Sequence, residues 1–180
     1  MPMSLSTRVI AAVGAVVVIG AGTVGVSIAH ANSEGKPEKP LATLVVGRSS
    51  IHAGPTCYND GKPLSKDDIA NCQANAKKAG DEGKLPKSDV TSSDRIGVGV
   101  DPEVGDKGWW AATDGGQGQA QLASLRTGST FSGLQAAPAL LSTSSENTRV
   151  TVVENDAKTG DIVAAWFFDL KNKGFVPTAQ

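Results

Sequence analysis

The sequence predicts a mainly β domain, an antiparallel β-sandwich of short strands that carries one short helix. Three observations predict it. Short β-branched and apolar stretches recur between gaps rich in Gly, Ser, Asn and Asp, as strands and their turns do. The stretch from Arg95 to Val100 alternates with a period of two, placing Ile96, Val98 and Val100 on one face with Gly97 and Gly99 between them. Only the segment after Pro63 carries helix start and stop signals, and it lies between two cysteines. Several short strands with turns between them favour a sandwich. The alternative architecture is α+β, a single sheet with the helix packed on it.

The chain opens with an export signature. Met1 to Arg8 holds one side-chain positive charge and no acid, and an apolar run follows from Val9 to Ala29. It ends at Ala29-His30-Ala31, small residues flanking a larger one, the pattern that signal peptidase reads. Residues 1–31 are therefore expected to be a signal peptide, with Asn32 beginning the mature chain. The alternative is an uncleaved anchor, since about 20 apolar residues can span roughly 30 Å of hydrocarbon. Gly14, Gly20, Gly22 and Gly25 weaken that reading, each costing about 1 kcal/mol in a helix interior. Either outcome places the remainder in a secreted or extracytoplasmic location. The membrane would be touched only through a retained N-terminal segment.

Of 180 residues, removal of the first 31 leaves 149, enough for one domain with a real core. The mature chain then has 16 basic against 18 acidic side chains, a net charge near −2. That balance argues against nucleic acid and anionic lipid, which require clustered positive charge. Residues 32–40 lack large apolar side chains and read as a flexible linker, leaving 41–177 as the single β domain.

Cys57 and Cys72 are the only cysteines, and in an oxidising compartment two lone cysteines pair. Between them, Ser65 can cap a helix whose first turn holds Asp67 and Asp68. Lys77 and Lys78 fall in the last turn, and Gly80 is expected to stop it. Ile69, Cys72, Ala76 and Ala79 share one face, so Cys72 points inward, and Tyr58-Asn59-Asp60-Gly61 is a turn that brings Cys57 towards it. Zinc is the competing reading. It wants four ligands, however, and the mature chain offers only His52, Cys57 and Cys72. A redox pair would normally be spaced Cys-x-x-Cys. No metal or cofactor is expected.

Leu41 to Val46 reads as a strand, with a second after Gly47 around Ile51. Trp109 to Ala112 and Thr148 to Glu154 follow, the latter with Val150 and Val152 inward. Asp161 to Lys171 places Ile162, Ala164, Trp166, Phe168 and Leu170 on one face and Val163, Ala165 and Phe167 on the other. A strand apolar on both faces is a central one. Asp114 to Gly118 and Ser142 to Asn147 read as loops.

Two dense segments and a third shorter one carry a resemblance. They are Cys57-Tyr58-Asn59-Asp60-Gly61-Lys62-Pro63 with Cys72, the run Ile96-Gly97-Val98-Gly99-Val100-Asp101-Pro102-Glu103-Val104-Gly105-Asp106-Lys107-Gly108-Trp109, and the strand from Trp166 to Leu170. Together they resemble an uncharacterised family of small secreted and lipid-anchored domains of high-GC Gram-positive bacteria. The likeness spans Leu41 to Lys171. It implies an exported, immunoglobulin-like β domain with no known activity, and it supplies no catalytic residues. This chain departs in lacking a lipidation Cys after the apolar run, and in a loop from Asp114 to Gln121 that is longer and richer in Gly and Gln. Antibody-type domains bridge distant strands of opposite sheets, whereas these cysteines stand 15 positions apart, so the likeness concerns architecture only.

Three constellations could carry chemistry. His52 is the only His beyond the export segment, so a Ser-His-Asp site must use it, and no Gly-x-Ser-x-Gly elbow accompanies it. Asp101, Glu103 and Asp106 could offer oxygens to Ca²⁺ as a weak cation turn, although their spacing matches no EF-hand loop. Trp109 and Trp110, if on a strand, project to opposite faces, one into the core and one towards a glycan or protein partner. The first expectation is thus a non-catalytic module that contacts a protein or the cell envelope. The second is a small extracellular hydrolase using His52 or paired carboxylates.

Overall fold

The computed structural model describes residues 39–116 and 119–176. The expected export segment and all but the last two residues of the linker lie outside the described residues. Among the described residues, ten strands build two sheets. β1 (Ala42–Val46), β2 (Ser49–Ala53), β5 (Arg95–Val100) and the two-residue β8 (Gln135–Ala136) form a four-stranded sheet in the order β2-β1-β5-β8. The larger, six-stranded sheet runs β3 (Cys57–Tyr58), β10 (Ile162–Asn172), β9 (Asn147–Asn155), β6 (Trp109–Thr113), β7 (Ala120–Arg126), with β4 (Lys87–Val90) also on β10. All pairings are antiparallel except β4 with β10. Two helices, α1 (Lys66–Asp81) and α2 (Pro102–Lys107), complete the domain with a 3₁₀ turn at Ala137–Ala139.

The sandwich core follows from the predicted alternation. Leu44, Ile96 and Val98 from the small sheet meet Trp109, Val150, Val152, Trp166, Phe168 and Leu170 from the large one in a single buried cluster. Burying each such side chain stabilises by roughly 1.5–3 kcal/mol. The two indoles find acceptors, Trp109 Nε1 donating to Ser129 O at 2.6 Å and Trp166 Nε1 to Pro40 O at 3.3 Å. Pro40, read from sequence as linker, is therefore already tied to the domain. Two sheets exclude the single-sheet architecture, yet the helix does lie on a sheet. Cys57, Ala76, Leu85, Val153, Ala165 and Phe167 form a second cluster, on the outer face of the large sheet beneath α1. β10 is central, as its two apolar faces required.

Several expectations need correction. Ile162 shares a face with Ala165 and Phe167, not with Ala164, because a bulge between Ile162 and Ala164 shifts the register. Gly80 does not stop α1. The helix runs to Asp81, and Gly83 (φ +66°) ends it, with Lys84 N–H donating to Ala79 O at 2.8 Å and Gly83 N–H to Gly80 O at 2.9 Å. Gly80 lies within the helix, and its missing side chain leaves the space that the Arg149 guanidinium occupies. Asp101 to Asp106 is mostly helix rather than turn, Pro102 starting α2 at the position where its missing N–H costs nothing. The expected loop to Gln121 ends sooner, since β7 begins at Ala120.

Candidate binding groove

The start of α1 is built as its sequence dictates. Ser65 Oγ accepts from Asp68 N–H at 3.1 Å while the Asp68 carboxylate accepts from Ser65 N–H at 3.1 Å, a reciprocal capping box. The Ser65 hydroxyl and backbone N–H both hold the Asp68 carboxyl below the usual carboxylate range. Upstream, Asp60 (φ +48°) and Gly61 (φ +75°) make a tight left-handed turn, closed by Lys62 N–H to Asn59 O at 2.8 Å. That turn returns the chain from β3 to the helix, and Cys57 and Cys72 are joined with their Cα atoms 5.8 Å apart.

Register then fixes what lies beneath the helix. Cys57 pairs with Ala165, Ala165 with Val153, and Val153 with Trp110, one row across four strands on the outer face. The next row is Phe167, Thr151 and Ala112. The third holds Asp169 and Arg149, whose carboxylate and guanidinium meet at 3.2 Å, and Asp114, whose Oδ1 accepts from Arg149 N–H at 2.6 Å. α1 is fastened at both ends of this grid, by Cys72 over the first row and by Gly80 against Arg149 at the third. Eight helical residues rise about 12 Å and two rows span about 13 Å, so helix and strands run side by side.

One helix, about 10 Å wide, covers roughly two strands spaced about 4.8 Å apart. α1 stands over the Cys57 side of the sheet, and the β6 column of Trp110, Ala112 and Asp114 is left beside it. A groove of about 320 Å³ opens there. Its floor is Trp110, Ala112, Thr151, Val153 and Phe167, and its helical wall is Ile69, Cys72 and Gln73. The size and apolar lining match small-ligand sites. Gln73, Gln119 and Asp114 are polar groups at its margin, and Asp114 is the single charged side chain among the described lining residues.

The predicted site residues divide sharply. Trp109 and Trp110 do face opposite ways. Trp109 is fully buried between the sheets with Arg126 stacked 5.6 Å from its ring centre, and Trp110 is half-buried in the groove. Cys57 and Cys72 form the expected bridge and line the same groove. His52 is exposed on β2, opposite Thr43 on β1, and does not line the groove. Asp101 is occupied structurally, its Oδ2 accepting from Leu41 N–H at 2.7 Å, while Glu103 and Asp106 are exposed on α2. Among the described residues no group of three His, Cys, Asp or Glu side chains could hold a metal ion.

Sequence reasoning missed Ala112, Asp114, Thr151 and Gln73, whose only signals were the alternation of Ala112 and Asp114 with Trp110, that of Thr151 with Val153, and the helical spacing of Gln73 from Ile69. It also missed Glu154, which is 1% exposed on the inner face of β9. Lys107 reaches in from α2 to 2.9 Å from Glu154 Oε1, and that carboxylate raises the Lys107 pKa above its ordinary value despite partial burial. Among the described residues no helix is long and apolar enough to cross a membrane. Comparison of the chain with protein-family models, with curated proteins and with solved structures gave no match.

Proposed function

We propose that this chain is an exported, non-catalytic β-sandwich module that recognises a protein or cell-envelope partner through the groove beside Trp110. The observation that carries the reading is the row Cys57–Ala165–Val153–Trp110, sealed by α1 at one end and open at the other. A half-buried Trp on an apolar floor is the kind of anchor on which partner contacts concentrate. Export is supported by the Ala29-His30-Ala31 cleavage pattern and by the disulfide, which is stable where thiols oxidise. The immunoglobulin-like assignment and membership of the secreted, lipid-anchored family belong to the same proposal. They are supported by the two packed sheets and the quoted motifs, while the strand order 2-1-5-8 against 3-10-9-6-7 is the chain's own. His52 is exposed on β2 and does not line the groove, so the His52 form of the hydrolase alternative has no observation in its favour.

The test joins location to groove. Native protein analysed by intact mass without reduction should begin at Asn32 and lack two hydrogens. Purified protein should bind the envelope fraction, and Trp110→Ala should bind several-fold more weakly while His52→Ala binds as the parent does. A native chain with both thiols free, or equal binding by the Trp110 variant, would overturn the proposal.

A further inference from the structure

We infer that the groove takes an aliphatic ligand with a cationic head, an alkylammonium-type amphiphile; this rests on the binding reading above and narrows it. The dimensions point to a chain. Trp110 to Asp114 spans four strand positions, about 13 Å. The lining also reaches Leu64 and Ile162 beyond Trp110, and the cavity of about 320 Å³ has room for an extended hydrocarbon on that apolar floor. Such a chain would lie on Trp110, Val153, Ala112 and Thr151 with Ile69 and the disulfide along one side.

Charge selects the head. No Lys or Arg lines the groove among the described residues, so a carboxylate or phosphate head would find no counter-ion. Asp114 stands at the end away from Trp110, fixed by two bonds to the Arg149 backbone, its N–H donating to Arg149 O at 3.0 Å and its Oδ1 accepting from Arg149 N–H at 2.6 Å. The Arg149 guanidinium is already paired with Asp169 at 3.2 Å, which leaves the Asp114 carboxylate open to a cationic head. Gln73 and Gln119 can add neutral hydrogen bonds from the rim.

The probes are n-octylamine, n-octanol and octanoate, three heads on one tail, titrated while tryptophan emission is followed. Trp109 and Trp166 are fully buried, so the response reports Trp110. Octylamine should bind about five-fold tighter than octanol at low salt, where a single charge pair contributes most, and octanoate should bind weakest. The amine preference should shrink in 1 M salt. Asp114→Asn keeps the Oδ1 acceptor, so it should abolish the preference and leave octanol binding unchanged. Thr151→Phe should block all three, with Ala112→Leu as the substitute should the first variant misfold by near-ultraviolet circular dichroism. Octanoate binding as tightly as octylamine, or a preference that survives Asp114→Asn, overturns the cationic head. Failure of all three probes overturns the aliphatic ligand, and Trp110-dependent envelope binding would then show that the broader reading stands without it.

Discussion

The two faces of the large sheet are built from the same strands and have opposite fates. On the inner face Trp109, Trp166, Phe168 and Leu170 lose all contact with water because a whole second sheet covers them. On the outer face a single helix does the covering, and it is too narrow for six strands. The difference is plainest in two neighbours in the chain, Trp109 in the core and Trp110 in the groove. A side chain's role here is set by which partner layer is wide enough to reach it. Apolar character alone does not decide it.

The contrast is broken most directly by truncation. Phe168→Ala on the inner face should cost about 3–5 kcal/mol, because the transfer term is joined by a cavity that the two sheets cannot close. Trp110→Ala, on the half-open face, should cost about 1 kcal/mol, near the middle of the range for single substitutions. Urea unfolding of the two variants at constant slope measures both. Equal losses would mean that the outer face is as tightly packed as the inner.

The outer face depends on covalent fastening where the inner does not. Cys72→Ser opens a loop of 15 residues, and in the chain-entropy account this should lower stability by about 3 kcal/mol. The loss should be accompanied by early amide exchange in α1, while β1, β5 and the inner-facing core stay protected. A uniform loss of protection would show that the helix and the sandwich unfold as one unit.

How much of this was legible beforehand follows from the range of the interactions involved. β5 and β10 announced themselves through alternation, a property of six to eleven consecutive residues. The α1 start was equally local, since Ser65 and Asp68 satisfy each other across three positions. β4 and β7 were not legible. Lys87-Ser88-Asp89-Val90 carries one buried side chain, and Ala120–Arg126 is interrupted by two register shifts against β6, so neither keeps a period. Gly80 misled because its reason lies on β9, where Arg149 needs the space. The groove was the least readable feature. Its first row draws residues 57, 110, 153 and 165 together, and only the register of three strand pairings says that they align.

The smallest effect tests the buried charge that the inner face accommodates among the described residues. Glu154 is buried there, its Oε2 without a hydrogen-bond donor, and its tolerance rests on Lys107 at 2.9 Å from Oε1. The pairing raises the Lys107 pKa in the folded state, Glu154 being the main cause. A raised folded pKa means stability that is fully present below the ordinary value of 10.5 and lost as pH rises through the folded one. The window for the loss is therefore alkaline, above pH 10.5, and solvent at the half-exposed lysine keeps it modest. Urea midpoints measured from pH 8 to 11.5 should fall more steeply in the parent than in Glu154→Gln, where the lysine returns towards its ordinary value. Parallel curves would mean that Lys107 gains nothing from the carboxylate, and the inner face would then have to hold Glu154 by some other means.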